Sequence, residues 1–233
     1  MISAETRNII VNGLWKQNPG IVQILGLCPL LAISSNVVNA LSLGLATTLV
    51  MAVSSGSVAV LRNLIPHEIR IPVFVLIIAA LVTVVELAMH AWVLPLYVVL
   101  GVFLPLITTN CIVLARVESF ASKRSTFHSV LDATAMGLGL TAVLVTLGAL
   151  REVFGKGTLF SGLDLALGPQ AAGWAVHVFP DYQGFLLAIL PPGAFIGLGL
   201  LIALRNLTES LRAERAARAG PLIATASAGE ATP

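Results

Sequence analysis

Two cysteines, Cys28 and Cys111, are the residues of this chain best suited to chemistry, and both stand inside strongly apolar runs. Cys28 lies in Leu25-Gly26-Leu27-Cys28-Pro29-Leu30-Leu31-Ala32, and Cys111 closes Leu104-Pro105-Leu106-Ile107-Thr108-Thr109-Asn110-Cys111. Pro29 adjoins Cys28 and Pro105 precedes Cys111 by six residues, and small polar residues follow the first run, Ser34-Ser35-Asn36, and end the second, Thr108-Thr109-Asn110. A cysteine in an apolar span is ordinarily a small hydrophobic filler. A structural disulfide is disfavoured, because neither cysteine falls in an outer loop and nothing around them needs a cross-link. Metal ligation is the remaining chemistry, since thiolates are soft ligands for zinc and for iron-sulfur clusters. Two thiolates cannot complete a site with four soft ligands, so a second chain would have to supply the other pair. Zinc and a 2Fe-2S cluster are both compatible with two thiolates. Cys-x-x-Cys motifs, Gly-rich phosphate loops and Ser/His/Asp arrangements are absent, which leaves independent hydrolytic or nucleotide chemistry without support.

The elements that must position these thiols are membrane spans. The 233 residues are 57% hydrophobic and only 10% charged, and the mean hydropathy is +0.96. At this length that composition means several bilayer crossings rather than one large soluble core. A net charge of +2, with the basic residues gathered at span ends and in the tail, excludes a nucleic-acid partner. Apolar spans are expected at about residues 20–35, 38–61, 70–92, 94–115, 129–150 and 184–204, each near the ~20 residues a bilayer core requires, apart from the short first one. An N-terminal arm over 1–19, with Trp15 beside Lys16 as an interfacial anchor, is expected to lie along the membrane surface. It carries charges and no cleavage site, so no removable signal peptide is expected. Residues 20–205 then form the membrane domain, and 206–233 a cytoplasmic tail whose Arg/Glu/Ala-rich start reads as a helical exit and whose Gly/Ala/Ser/Thr/Pro-rich remainder points to disorder. Eleven Lys and Arg fall on one face of this topology and only Arg151 and Lys156 on the other. That bias puts both termini in the cytoplasm.

The two halves, about 20–92 and 94–204, resemble each other. Gly26 to Asn36 lies against Val102 to Asn110, and Val60-Leu61-Arg62-Asn63 against Ala149-Leu150-Arg151-Glu152. The offsets are 76 and 89 residues, so the second half carries 13 more, which fits the polar stretch Glu118 to Ser129. Three spans separate the copies, so they run in opposite directions. The expected fold is therefore all-α, six transmembrane helices in an inverted 3+3 repeat, with helices broken at the midplane. Pro29 and Pro105 are expected to make the breaks by removing intrahelical hydrogen bonds. Both cysteines would then lie near one another at the midplane. Ala135-x-x-x-Gly139 and Gly193-x-x-x-Gly197 read as close-packing spacings without chemistry.

Other polar residues have two readings each. Glu86, deep in the third span, is an ion-pathway candidate, or else reaches the outer interface near His90 and Trp92. Asp132 either closes a capping box with Ser129 or forms a cation entry. Thr108, Thr109 and Asn110, and likewise Ser34, Ser35 and Asn36, either repair freed backbone or hydrogen-bond cluster sulfur.

Gly13-Leu14-Trp15-Lys16, the Cys28 run, Thr109-Asn110-Cys111-Ile112-Val113, Leu150-Arg151-Glu152 and Leu190-Pro191-Pro192-Gly193-Ala194-Phe195-Ile196-Gly197 together resemble the RnfE (RsxE) subunit family of the Rnf electron-transport complex. More distantly they are similar to the NqrD subunits of the sodium-pumping NADH:quinone oxidoreductase. The resemblance runs from about residue 7 to 210 and omits the tail. It implies a bacterial inner-membrane subunit paired with a homologous six-span partner of opposite topology, RnfA-like, among other Rnf subunits. It implies further that each of the pair gives two cysteines, here Cys28 and Cys111, to one 2Fe-2S cluster within the membrane. The complex so implied couples electron transfer between NADH and ferredoxin to ion movement. From the residues alone, a secondary transporter or a scaffold with inert cysteines are the rivals.

Overall fold

In the computed structural model, residues 4–92, 94–163, 176–177 and 184–228 are described. The chain is helical almost throughout: α1 Ala4–Val11, α2 Leu27–Ala32, α3 Val37–Leu61, α4 Arg70–Trp92, α5 Leu94–Leu100, α6 Cys111–Arg116, α7 Thr126–Lys156, α8 Leu186–Ile189 and α9 Pro191–Ala228. One two-residue antiparallel pairing, β1 Thr158–Leu159 with β2 Val176–His177, follows α7. Residues 1–197 form one compact unit, and 198–233 a second, described as continuous helix to Ala228. The Arg-, Glu- and Ala-rich start of the tail is helical as expected of strong helix formers, and the helix runs on to Ala228, into the stretch whose composition pointed to disorder.

Among the described residues four helices are long and apolar enough to cross a membrane: α3, α4, α7 and Pro191–Arg215. A fifth crossing is available if Leu94–Leu100 and Pro105–Ala121, bent by 55° at the break between them, count as one span. The expected crossing at 20–35 is no continuous helix. Its first part is a turn built on Asn18, whose Oδ1 accepts the Gly20 and Ile21 N–H groups at 3.0 and 3.3 Å. Only the six residues of α2 are helical, entered through Gly26 at φ +75°.

Pro105 stands at a break, as expected, whereas Pro29 lies in a short helix with no longer span for it to interrupt. Pro29 is the third residue of α2, and Pro105 opens the 3-10 turn Pro105–Ile107. In a first turn the missing N–H has no intrahelical acceptor to lose, so Pro29 lies within a short helix and Pro105 opens the second part of the bent 94–121 segment.

The core is the antiparallel pair α3 and α7. Asn36 and Ala40 at the start of α3 meet Gly148 near the end of α7, while Gly56 near the end of α3 meets Val130 near the start of α7. At the crossing the contact is reciprocal: a Cβ on Gly44 would lie 2.7 Å from the Thr141 side chain, and one on Gly137 would lie 2.7 Å from Thr48. Thr48 Oγ1 and Thr141 Oγ1 are 3.3 Å apart, and each hydroxyl also donates to its own Gly44 or Gly137 carbonyl at 2.8 Å. The two Gly-x-x-x-Thr stretches lie 93 residues apart. This is one helical turn from the 89 inferred from the arginines.

Small residues bring the N-terminal arm in too. Gly13 packs on Ala135 and Met136, and Gly139 receives the Gly13 carbonyl. Asn18 Nδ2 donates to the Leu14 and Gly139 carbonyls at 3.1 and 3.0 Å. The arm expected on the membrane surface is thus seated against the middle of α7, although Trp15 stays exposed. Ala135-x-x-x-Gly139 serves this arm.

Candidate functional site

Cys28 is the second residue of α2 and Cys111 the first residue of α6. Both are free thiols and both are exposed. The residue capping α2 is Gly26 and the residue capping α6 is Asn110. These caps touch: a Cβ on Gly26 would lie 3.3 Å from Asn110 Oδ1 and 3.8 Å from Ile112 Cγ2. The starts of the two cysteine-bearing helices are therefore apposed. Only glycine suits position 26, because the left-handed φ strains any L side chain and the space is already taken.

The flanking polar residues divide by what they do. Asn110 Oδ1 accepts the Ile112 N–H at 3.3 Å, an ordinary N-cap. Thr109 Oγ1 donates to the Leu106 carbonyl at 3.3 Å. In the other copy Ser34 Oγ donates to the Leu30 carbonyl and accepts Arg151 Nη1 at 2.7 Å. Asn36 Oδ1 accepts Lys156 Nζ at 3.1 Å. No bond is described for the Thr108 and Ser35 side chains, which are half-buried.

Reading the sequence missed the residues that hold this region. Arg151 is 3% exposed and Glu152 0%, where span-end charges were expected. Arg151 spreads its guanidinium over the Ala188, Leu190 and Leu31 carbonyls at 3.0, 3.3 and 3.4 Å, and over that of Ile189. Glu152 Oε2 accepts the Val37 N–H at 2.9 Å, capping α3 in place of Asn36, and its Oε1 accepts the Ser161 N–H at 2.6 Å. Each buried charge thus faces backbone dipoles of the opposite sign. The one available signal was Leu150-Arg151-Glu152 itself, a charged pair closing an apolar run.

Asp132 does not form a capping box. α7 begins at Thr126 with Ser125 as its N-cap, Ser129 Oγ donates to the Ser125 carbonyl at 2.9 Å, and Asp132, 4% exposed, pairs with Arg116. Arg116 Nε donates to Asp132 Oδ2 at 2.8 Å, with a second bond from Nη2 to Oδ1. A fork of two bonds to a guanidinium outcompetes a backbone cap three residues away. Glu86 is half-buried on α4 and accepts the Tyr97 hydroxyl of α5 at 3.2 Å, with the His90 ring edge-on to Tyr97 at 4.9 Å. Glu86 is six residues, roughly 9 Å, from the end of α4. Among the described residues no group of three or more His, Cys, Asp or Glu could hold a metal.

A bundle of apolar spans with two thiols on apposed helix starts defines a polytopic membrane subunit. The family model described as "Rnf-Nqr subunit, membrane protein" matches residues 6–202, and the chain belongs to that family. Among its relatives is the E-type subunit of the ion-translocating oxidoreductase complex from Pseudomonas aeruginosa (strain UCBPP-PA14), 55% identical over 97% of this chain and 95% of that protein. The protein of the same name from Vibrio parahaemolyticus is 56% identical over 89% of this chain and 90% of its own length. That of Shewanella frigidimarina is 58% identical over 87% of each.

Proposed function

We propose that this chain is the E-type membrane subunit of a redox-driven ion-translocating complex, not an enzyme by itself, and that Cys28 and Cys111 are its two ligands to an intramembrane 2Fe-2S cluster shared with a homologous subunit. The observation that carries the reading is the contact between the caps of the two cysteine-bearing helices, Gly26 against Asn110. It sets two free, exposed thiols at neighbouring helix starts, so that a partner carrying an equivalent pair can complete the ligand set. The donor chemistry fits: two soft thiolates are half of what a 2Fe-2S cluster takes. Such a group, when bound, supplies a one-electron relay through the membrane. This chain's residues hold it in place: α2 and α6 orient the thiols, the Asn110 cap fixes the first turn of α6, and Arg151 ties the α2 end to α7. The complex would carry electrons between NADH and ferredoxin and move ions across the bacterial inner membrane.

The reciprocal α3–α7 contact supports an inverted 3+3 repeat, with the 20–35 and 94–121 segments as its two broken spans, and the basic-residue bias supports cytoplasmic termini. Of the ion-pathway candidates, Glu86 is better placed, being held by a single phenol, whereas Asp132 is already neutralised by Arg116. A secondary transporter could share the repeat but has no use for the thiols.

The test is iron content and the reduced-state EPR spectrum of this chain purified with its homologous partner, for wild type, Cys28→Ser and Cys111→Ser. A 2Fe-2S signal present in wild type and lost in both variants is the expected result. Iron-free wild type, or electron transfer unchanged in both variants, would sink the proposal.

A further inference from the structure

The amide of Asn110 is half used. Its Oδ1 accepts the Ile112 N–H, which fixes which end of the amide faces the helix. Its Nδ2 is buried, in a residue 3% exposed, and has no hydrogen-bond acceptor among the described residues. A buried donor left unpaired costs about 1–3 kcal/mol, and inside a bilayer no bulk water relieves it. Within α3 and α7 the same demand is met at Thr47, Thr48, Ser54 and Thr141, each of which donates to a carbonyl of its own helix. The Oδ1 end of this amide lies against Gly26, two residues before Cys28, and Asn110 immediately precedes Cys111 in the chain.

We infer that Asn110 Nδ2 donates a hydrogen bond to sulfur of the group that Cys28 and Cys111 hold, and that Asn110 is thereby a positioning residue that sets its reduction potential. The inference rests on the iron-sulfur reading above. Both readings of Asn110 from sequence then hold at once, with backbone capping at Oδ1 and sulfur bonding at Nδ2. An N–H aimed at sulfur interacts more strongly as the sulfur gains negative charge, so it favours the reduced state and raises the potential.

The experiment is a potentiometric EPR titration of the purified complex carrying wild-type Asn110, Asn110→Ser or Asn110→Thr, with pulsed EPR on protein labelled with 15N-asparagine. Serine and threonine keep an N-cap acceptor but remove the amide N–H. Both variants are expected to retain iron and the fold, to shift the midpoint to more negative potential, and to lose a 15N coupling seen in wild type. An unchanged midpoint and coupling with iron retained overturns the inference and leaves the shared-cluster reading standing. Loss of iron from both variants with the fold intact means that the amide holds the group instead of tuning it, and also overturns the inference. Wild type without iron overturns the cluster reading and this inference together.

Discussion

The α3–α7 crossing and the apposed starts of α2 and α6 are built from the same materials, glycine and small polar residues inside apolar helices, and they end in opposite states. At the crossing, Gly44 and Gly137 admit Thr141 and Thr48, and both hydroxyls bond to carbonyls and approach each other. At the helix starts, Gly26 admits the Oδ1 end of the Asn110 amide, whose buried Nδ2 has no acceptor among the described residues, and the two cysteines of these helices are exposed. The first region is closed on itself and the second is open. In a membrane domain that difference separates polar groups that hold helices together from those left with bonding capacity to spare.

Breaking the closed side should cost folding stability, most of all where charge is buried. Arg151→Met would leave the Ser34 hydroxyl and the carbonyls of Leu31 and residues 188–190 without their donor. It is expected to destabilise the fold by about 3–5 kcal/mol, read as a lower unfolding temperature in detergent. Arg151→Lys should not restore it, because one ammonium cannot span acceptors on both α2 and α8. Wild-type stability in either variant would remove Arg151 from the closed set.

Next comes the Arg116–Asp132 pair, with side chains 15% and 5% exposed. Asp132→Ala strands a largely buried guanidinium and is expected to cost about 2–4 kcal/mol. The double variant Arg116→Met/Asp132→Leu should recover most of that, since a well-packed apolar pair of similar volume often replaces a buried ion pair without loss. A double variant as unstable as Asp132→Ala would show that the pair does more than balance charge.

Smaller still are the crossing glycines. Gly44→Ala and Gly137→Ala each drive a Cβ to 2.7 Å from a threonine side chain, for a cost of about 1–3 kcal/mol by overpacking. Gly137→Ala should cost the more, because its Cβ also lies 2.9 Å from the Thr48 Cα, and Thr141→Ala should relieve Gly44→Ala more fully than Thr48→Ala relieves Gly137→Ala. Full relief of Gly137→Ala by Thr48→Ala in the same unfolding assay would show that the backbone contact gives way at no cost.

Much of this arrangement can be read from the chain. Uninterrupted apolar runs locate α3, α4 and α7, because a bilayer demands a fixed length of apolar helix, and the thiols stand out by their rarity. The run at 20–35 misleads: its apolar content reads as a span, while Pro19-Gly20 and Gly26 mark a turn, and only the distant Gly139 carbonyl shows why Asn18 organises it. Arg151 and Glu152 mislead in the other direction. Charge at the end of an apolar run ordinarily means a loop, and their burial depends on carbonyls 37–39 residues later and an N–H 115 residues earlier. The unpaired Nδ2 of Asn110 is invisible to sequence, because which end of an amide is satisfied is set by three-dimensional neighbours.

The smallest effect on stability should come from the open side, and it sharpens the contrast most. Cys28 and Cys111 are exposed, so serine at either position removes little packing and creates no buried cavity. Each variant is expected to unfold within about 0.5 kcal/mol of wild type when metal is absent from both. In the assembled complex the same substitution should abolish the iron signal, and any stability that bound metal lends to the folded state would vanish with it. A cysteine serving as packing filler predicts the reverse order, with stability falling and iron unaffected. Unfolding curves of metal-free protein set beside iron content of the complex, for the same two variants, therefore separate a ligand from a filler.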